Sequence, residues 1–211
     1  YTLGQLSDEG HVYAEREQLV QAACTLLEAD AAPVCEALER MILSEELITE
    51  QEAIYLPAFY HAECGAARRL KELAESAGRT LFTTELDPGV LTAETGIDYD
   101  DVQLAAIRQA VTSKVMVLTG GPGTGKTTTT QGIIAALKKA GLRVLLAAPT
   151  GRAAKRMSEA TGMDAKTIHR LLEYNPQDGY KRGDENPLDG DALIVDECSM
   201  IDILLMNNLM K

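Results

Sequence analysis

A glycine-rich segment at residues 120–127 constrains the fold of this chain more than any other feature. It reads Gly-Gly-Pro-Gly-Thr-Gly-Lys-Thr and fits the pattern G-x-x-x-x-G-K-[ST]. An apolar run at residues 115–118 precedes it, and a helical pattern at residues 126–140 follows it. Glycines let backbone N–H groups turn inward around phosphates, and the start of a helix adds the positive end of its dipole. The sequence therefore predicts a phosphate-binding turn between a strand and a helix.

The residue types within this turn suit a nucleoside triphosphate. Lys126 is expected to reach the β- and γ-phosphates as a catalytic residue, and the Thr127 hydroxyl is expected to ligate Mg²⁺. Thr128 is predicted either to complete phosphate binding or to cap the helix. The other predicted nucleotide-binding residues are Gly121, Gly123, Thr124 and Gly125.

Two adjacent acidic residues lie 70 positions after Lys126 and predict the other half of a metal-dependent site. Asp196 and Glu197 follow the apolar run at residues 192–195, which predicts a strand. A carboxylate at a strand end can hold Mg²⁺, so Asp196 is a predicted metal ligand, and Glu197 is placed to orient or deprotonate the attacking water. An adjacent Asp-Glu pair favours a nucleic-acid or remodelling ATPase over a GTPase or a kinase.

Short apolar strands alternate with helical patterns throughout the second half of the chain. Besides the elements above, the pattern predicts a strand at residues 143–148 and a helix at residues 151–161. Strands that are apolar on both faces and separated by helices predict a parallel sheet covered by helices on both sides. The predicted fold class is therefore α/β, with an ATPase domain at residues 99–211.

The first half predicts a small, mainly helical domain at residues 1–78, followed by a linker at residues 79–98. Its predicted elements are a strand, two helices, two strands and a long helix, at residues 11–13, 15–29, 30–42, 47–49, 53–56 and 58–76. The order β-α-α-β-β is that of a winged helix. Arg40 is the lone basic residue of the second helix, which favours a packing or spacer module over a DNA-reading one.

Charge is distributed unevenly along the chain, whose formal net charge is −12. Residues 1–100 contain 20 acidic and 6 basic side chains, whereas residues 101–211 contain 12 acidic and 14 basic side chains. The acidity therefore belongs to the first half. A polyanion can approach the second half, although no strong basic patch marks it.

Other features exclude several classes of protein. No apolar run approaches the roughly 20 residues of a membrane span, and no export signal is present, so we expect no membrane partner and a cytoplasmic location. The four cysteines form no C-x-x-C pair, so we expect buried free thiols rather than disulfides or zinc. The chain starts at Tyr1 rather than at a methionine and ends in a helical pattern without a cap, from which we expect a fragment.

Four segments resemble, in order, motifs of RecD-like (RecD/TraA) superfamily 1 DNA helicases. The segments at residues 120–129, 148–157, 167–172 and 195–202 resemble motif I, motif Ia, a further DNA-contacting motif and motif II. The first half resembles the small domain that precedes the motor in stand-alone bacterial members. The resemblance covers nearly the whole chain and implies an incomplete first RecA-like domain, a P-loop NTPase fold.

The resemblance also implies roles for four further residues. Gln103 corresponds to the glutamine that hydrogen-bonds adenine, although a glutamine on a helix surface is usually only solvated. Thr150 and Arg152 fall in motif Ia, which implies that they bind a DNA phosphate. The alternative is that Thr150 only caps the helix and that Arg152 is a solvated cation. His169 is implied to contact DNA, and a structural hydrogen-bonding role stays open.

The function implied is ATP hydrolysis with Mg²⁺ that drives 5′ to 3′ movement along single-stranded DNA, with DNA-repair proteins as partners. Two alternatives remain open. One is a non-helicase P-loop ATPase such as a loader; the other is an idle module whose acidic first half docks a partner, as in a nuclease complex. Because motifs of a second RecA-like domain are absent from the 211 residues, we expect this chain alone to hydrolyse ATP slowly and not to unwind DNA.

Overall fold

The chain folds into two compact units in the computed structural model, which describes residues 1–76, 87–121 and 123–211. Unit 1 joins Tyr1–Arg68 with Asp202–Asn208, and unit 2 joins Arg69–Ile201 with Leu209–Lys211. No helix in the described ranges has the length and apolar character needed to cross a membrane.

Unit 1 contains a three-stranded antiparallel sheet. Along the chain, helices come before its first strand, between its first and second strands and after its third strand. Its elements are α1 (Thr2–Asp8), β1 (Tyr13–Glu15), α2 (Arg16–Leu27), α3 (Ala31–Leu43), β2 (Ile48–Glu50), β3 (Ala53–Tyr55) and α4 (Pro57–Glu75), the last of which continues into unit 2. The strand order is β1-β3-β2. The predicted β-α-α-β-β order of a winged helix is therefore confirmed.

The core of unit 1 forms around the central strand β3. Ile54 lies in the middle of that strand and is fully buried, and Leu3, Leu19 and Leu38 from the first three helices pack into the same cluster. The sequence did not reveal α1, because two leucines in seven residues are too few to show a helical period.

Unit 2 contains a parallel sheet flanked by helices, which confirms the predicted α/β class. Its elements are α5 (Pro88–Thr95), α6 (Asp101–Thr112), α7 (Lys126–Lys139), β4 (Val144–Ala148), α8 (Gly151–Thr161), β5 (Ala165–Thr167), α9 (Ile168–Leu171) and β6 (Ala192–Val195). After a 3-10 turn at Cys198–Met200, the helix α10 (Ile203–Leu209) returns to unit 1. The strand order is β5-β4-β6, and both pairs are parallel.

Helix α7 packs on the sheet and on α6. Its Ile134 contacts a cluster that includes Leu146 of β4 and Met157 of α8. On its other side, a Cβ atom at Gly132 would lie 2.4 Å from Cδ1 of Ile107 and 3.0 Å from the ring of Tyr99. The glycine therefore allows α6 and α7 to approach closely.

The predicted strand at residues 115–118 is wrong. These residues pair with none of the three strands of unit 2; Val117 is 80% exposed, and only Leu118 packs against the core cluster of α6 and α7. A strand needs a neighbour for its N–H and C=O groups. Residues 115–118 pair with neither outer edge of the β5-β4-β6 sheet, so the glycine-rich turn follows an unpaired segment.

The proposed division into residues 1–78, 79–98 and 99–211 stays a prediction. Residues 79–86 of the linker lie outside the described residues. The described part contains α5, whose Leu91 is buried in the same cluster as Ile107 and Leu137. Helix α5 thus packs as part of unit 2.

Candidate nucleotide and DNA site

The glycine-rich turn adopts the backbone conformation that its glycines were predicted to allow. Gly123 has φ of +74° and Gly125 has φ of +78°, both in the left-handed region that favours glycine. Gly125 is the N-cap of α7, and the Thr124 hydroxyl donates to the carbonyl of Gly121 at 2.9 Å. Pro122 lies outside the described residues. The described part of the turn therefore leads directly into a helix N-terminus.

The ammonium group of Lys126 lies inside this turn. Its Nζ atom donates to the carbonyl oxygens of Gly120 at 2.6 Å and of Gly121 at 2.7 Å. Lysine is a point charge on a flexible stem, so its three donors can turn from carbonyl to phosphate oxygens with little motion. This placement supports the predicted phosphate role.

The threonines after Lys126 are exposed to different degrees. Thr127 is exposed, and Thr128 is half-buried. Thr129 is buried, and its hydroxyl donates to the Gly125 carbonyl at 3.1 Å. The sequence did not identify Thr129, although its hydrogen bond ties the end of the glycine-rich segment to the first turn of α7.

Gln103 lies beside the glycine-rich turn, at the start of α6. Its backbone N–H donates to Oδ1 of Asp100 at 2.8 Å, and its Oε1 accepts from the Asp100 N–H at 3.1 Å, which forms a capping box. A Cβ atom at Gly125 would lie only 2.5 Å from its Nε2. The structure thus brings Gln103 and Gly125 together, while the adenine contact stays a prediction.

The acidic pair follows β6 and turns sharply there. The Asp196 N–H donates to the Ala147 carbonyl at 3.0 Å, and Oδ1 of Asp196 accepts from the Glu197 N–H at 2.9 Å. Glu197 has φ of +53°, a conformation that few non-glycine residues adopt and that often marks functional positions. The turn directs the Glu197 side chain toward α8.

Arg156 of α8 meets that side chain. Its Nη1 atom lies 3.4 Å from Oε1 of Glu197, and the side chains are 70% and 34% exposed. The sequence did not single out Arg156, which stood only within the segment resembling motif Ia. Its spacing gave a signal, since Ala153, three positions before it, and Met157, directly after it, are apolar and buried and place Arg156 at the exposed edge of that face.

The predicted DNA-phosphate residues lie at the junction of β4 and α8, as expected. Thr150 is the N-cap of α8, and its Oγ1 accepts from the Ala153 N–H at 3.2 Å. Arg152 is exposed in the first turn of the helix. The capping role of Thr150 is observed; phosphate binding by the two residues stays a prediction.

His169 lies on α9 in a group of three exposed or half-buried rings. Its ring centroid is 5.5 Å from that of Tyr174 and 6.1 Å from that of Tyr180, and the tyrosine centroids are 4.7 Å apart. The sequence interpretation included His169 but missed both tyrosines, because they lie beyond the segment that resembles the DNA-contacting motif.

The cysteines depart from the expected buried thiols. Cys35, Cys64 and Cys198 are exposed, and Cys24 is half-buried. The sulfur of Cys198 turns back toward the Val195 carbonyl at 3.3 Å. Partial burial, with the charge of Asp196, raises the pKa of the Cys198 thiol, so it stays protonated at neutral pH. Within the described ranges, no group of three or more His, Cys, Asp or Glu residues forms a protein-only metal site.

Comparison with known proteins finds a matching family model and several similar proteins. A family model described as an AAA domain matches residues 103–211. The ATP-dependent RecD2 DNA helicase of Deinococcus radiodurans is 39% identical over 176 residues, which cover 81% of this chain and 23% of that protein. The RecBCD enzyme subunit RecD of Mycolicibacterium smegmatis is 38% identical over 134 residues, covering 52% of this chain and 24% of that protein. That of Haemophilus influenzae is 37% identical over 136 residues, covering 53% and 21%. The chain therefore spans about a quarter or less of these relatives.

Proposed function

Because the chain belongs to the AAA domain family, we propose that it is the nucleotide-binding part of an ATP-dependent DNA helicase. The placement of the Lys126 ammonium inside a glycine turn at the start of α7 carries this proposal. Similarity to a RecD2 DNA helicase and to RecD subunits supports the choice of a helicase among nucleotide-dependent enzymes.

ATP is the proposed substrate, and the turn holds its phosphates. Backbone N–H groups of Gly123 and Gly125 face the phosphates from the helix start, and Lys126 exchanges its carbonyl partners for phosphate oxygens. Gln103, next to Gly125, is the proposed adenine contact. This arrangement favours a triphosphate because the lysine charge and the helix dipole act on the same anion.

The residues at the second half of the site suit Mg²⁺. The exposed Thr127 hydroxyl and the exposed Asp196 carboxylate are hard oxygen donors, which Mg²⁺ prefers, and it takes few protein ligands when phosphates complete its shell. When bound, the ion neutralises negative charge on the phosphates. Holding Mg²⁺ is therefore the proposed role of Thr127 and Asp196.

Glu197 is the proposed base for hydrolysis. Its carboxylate accepts a proton from water, the water oxygen bonds to the γ-phosphorus, and the bond from that phosphorus to the bridging oxygen breaks to release ADP. Arg156 of α8 forms an ion pair with this carboxylate. The proposed base is thus linked to the helix that begins at the proposed DNA-phosphate residues, Thr150 and Arg152.

Single-stranded DNA is the proposed track, with movement from 5′ to 3′. The N-terminus of α8 offers backbone N–H groups, the Thr150 hydroxyl and the exposed Arg152 to a phosphate, which gives grip without sequence preference. Two of the similar proteins are subunits of the RecBCD enzyme, so we include DNA-repair partner proteins. The named relatives are bacterial, and DNA and ATP meet in the bacterial cytoplasm, which is the proposed location.

The test uses the complete protein and two lysine variants on one helix. Lys126→Ala is expected to abolish both ATPase stimulated by single-stranded DNA and unwinding of a duplex with a 5′ tail. Lys139→Ala, at the exposed end of α7, is the matched control and is expected to retain both. Unwinding by the Lys126→Ala protein would contradict the proposal. DNA-stimulated ATPase without unwinding in the wild-type protein would identify a non-helicase ATPase instead.

A further inference from the structure

The sheet of unit 1 has an outer face that carries aromatic side chains. Successive side chains of a strand point to opposite faces, and Ile54 and its partner Ala14 are buried in the core. Tyr55, next to Ile54, therefore lies on the face opposite the core, where it pairs with Tyr13 of β1 and with Ile48 of β2. The two tyrosine ring centroids are 5.4 Å apart. Neighbouring tyrosines thus form the aromatic part of this outer face.

Two glutamates flank a small residue in the next row of the same face. Ala53 pairs with Glu15 of β1 and with Glu50 of β2, and both glutamates are exposed. Neighbouring strands are about 4.8 Å apart, so the two glutamates start about 10 Å from each other with only a methyl group between them. Burial and, to a smaller extent, the charge of Glu50 raise the pKa of Tyr55, so this carboxylate lies near the rings. The row therefore forms a shallow notch with a carboxylate on each side.

Helix α4 covers only part of the outer face. Tyr60 of α4 meets Tyr55 with a centroid distance of 5.3 Å and an interplanar angle of 74°, and Tyr55 is buried. Tyr13, on the β1 side, is 42% exposed. The Tyr13 ring is therefore accessible, while the buried Tyr55 beside it holds it in place.

The surroundings of the notch are negatively charged. Residues 1–68 contain 13 acidic and 3 basic side chains. The basic residue next to Glu15, Arg16, pairs with Glu39 of α3 at 2.5 Å. Among the described residues, neither Glu15 nor Glu50 forms an ion pair. The outer face therefore combines an accessible ring with two carboxylates that are free to meet a cation.

We propose that this outer face docks an arginine-bearing segment of a partner protein. A guanidinium group is planar, so it can stack on the exposed Tyr13 ring while its N–H donors reach the carboxylates of Glu15 and Glu50. The same carboxylates repel phosphate groups, which disfavours nucleic acid as the occupant. The proposal goes beyond the helicase function and assigns a docking role to unit 1, separate from the nucleotide site.

Peptides of equal charge test the stacking. The complete wild-type protein is titrated with labelled hexa-arginine and with labelled hexalysine. We expect hexa-arginine to bind more tightly by about 2- to 5-fold, because its planar group stacks on the ring. Equal affinities for the two peptides would overturn the proposal.

Substitutions at Tyr13 assign this preference to the ring. Tyr13→Leu keeps an apolar side chain against Tyr55 but removes the π-face, so it is expected to abolish the preference for hexa-arginine. Tyr13→Phe keeps the π-face and is expected to bind both peptides like wild type. A Tyr13→Leu protein that still prefers hexa-arginine like wild type would overturn the proposal.

Charge substitutions assign the binding to the notch. Glu50→Gln is expected to weaken hexa-arginine binding by up to about fivefold, as for one exposed ion pair. Glu36→Gln removes the same charge from an exposed position on α3 and is the matched control, expected to leave the affinity nearly unchanged. Equal losses in the two variants would mean that the peptide responds only to net charge, and the notch would be excluded as its site.

Other occupants of the outer face give different results. If single-stranded DNA occupied it, Tyr13→Leu would weaken binding of an oligothymidylate. If another part of the complete protein covered it, neither Tyr13→Leu nor Glu50→Gln would change the affinity for hexa-arginine. Either result would overturn the docking role. ATPase and unwinding by both variants are expected to match wild type, so the test is independent of the helicase proposal.

Discussion

Nη1 of Arg156 lies 3.4 Å from Oε1 of Glu197 and joins α8 to the carboxylate proposed to act on the attacking water. Thr150 caps the start of the same helix, and Arg152 lies in its first turn. The proposed DNA contact at the start of α8 and the link to the proposed base in its middle therefore lie on one helix, which is the basis for expecting coupling between the two proposed sites. The pair is exposed, so its contribution to folding stability is expected to be small.

Arg156→Ala is expected to reduce the ratio of DNA-stimulated to basal ATPase. An exposed ion pair contributes up to ~1 kcal/mol, which corresponds to about a fivefold change. ATPase rates of the complete protein with and without single-stranded DNA measure this ratio. Lys155→Ala is the control, because Lys155 is exposed on the same helix and its one ion pair among the described residues is with Glu159, at 3.8 Å. An unchanged ratio in the Arg156→Ala protein would show that the link carries no coupling.

Glu197→Gln is expected to separate ATP binding from hydrolysis. The amide keeps the shape of the side chain but cannot accept the water proton, so kcat should fall by about 10²- to 10⁴-fold while ATP still binds. Glu159→Gln, on the exposed side of α8, is expected to leave both unchanged. Equilibrium nucleotide binding and steady-state ATPase measure the two effects. A Glu197→Gln protein with wild-type kcat would exclude this residue as the base.

The sequence predicted the glycine-rich turn, the start of α7 and the end of β6 well, because local chemistry decides these features. The glycines, Lys126 and the start of α7 follow from neighbouring residues alone, and β6 ends at residue 195 as predicted. The strand at residues 115–118 was predicted wrongly because a strand forms only where its N–H and C=O groups pair with a neighbour in the sheet, and an apolar run does not reveal whether it pairs.

Two features of the site depend on contacts that are distant in sequence. Arg156 meets Glu197 across 41 positions, and the proximity of Gln103 to Gly125 requires α6 to lie on α7. A one-dimensional pattern shows which face of a helix is apolar, but not which charged residue its exposed edge meets. The tyrosines beside His169 were missed for a related reason, since a short loop brings Tyr174 and Tyr180 together without any period.

Gly132→Ala is expected to destabilise unit 2. The added methyl would lie 2.4 Å from Cδ1 of Ile107, which is fully buried and has the Tyr99 ring beside it. Overpacking of this kind costs about 1–3 kcal/mol. Gly151→Ala is the matched control, because it also lies in a helix but meets nothing within 4 Å. Urea unfolding of both variants gives the comparison, and equal free energies of unfolding would contradict close packing of α6 on α7.

The hydroxyl of Tyr55 is expected to make unit 1 sensitive to alkaline pH. Burial, together with the charge of Glu63 and a hydrogen bond to it, raises the pKa of Tyr55 from 10.0 to about 12. The unfolded chain therefore loses this proton first, so the stabilisation is fully present below pH 10.0 and is lost as pH rises toward 12. Stability should fall over that range with a slope of at most about 1.4 kcal/mol per pH unit from this group.

Tyr55→Phe isolates this effect from the titration of other groups. The variant is expected to lose about 1 kcal/mol at neutral pH with the hydrogen bond to Glu63, and to show a shallower decline between pH 10.0 and about 12. Tyr1→Phe is the control, because its side chain is 88% exposed and should leave the pH profile unchanged. Free energies of unfolding measured across this range decide the point: parallel profiles for wild type and Tyr55→Phe would mean that Tyr55 titrates alike in the folded and unfolded chains.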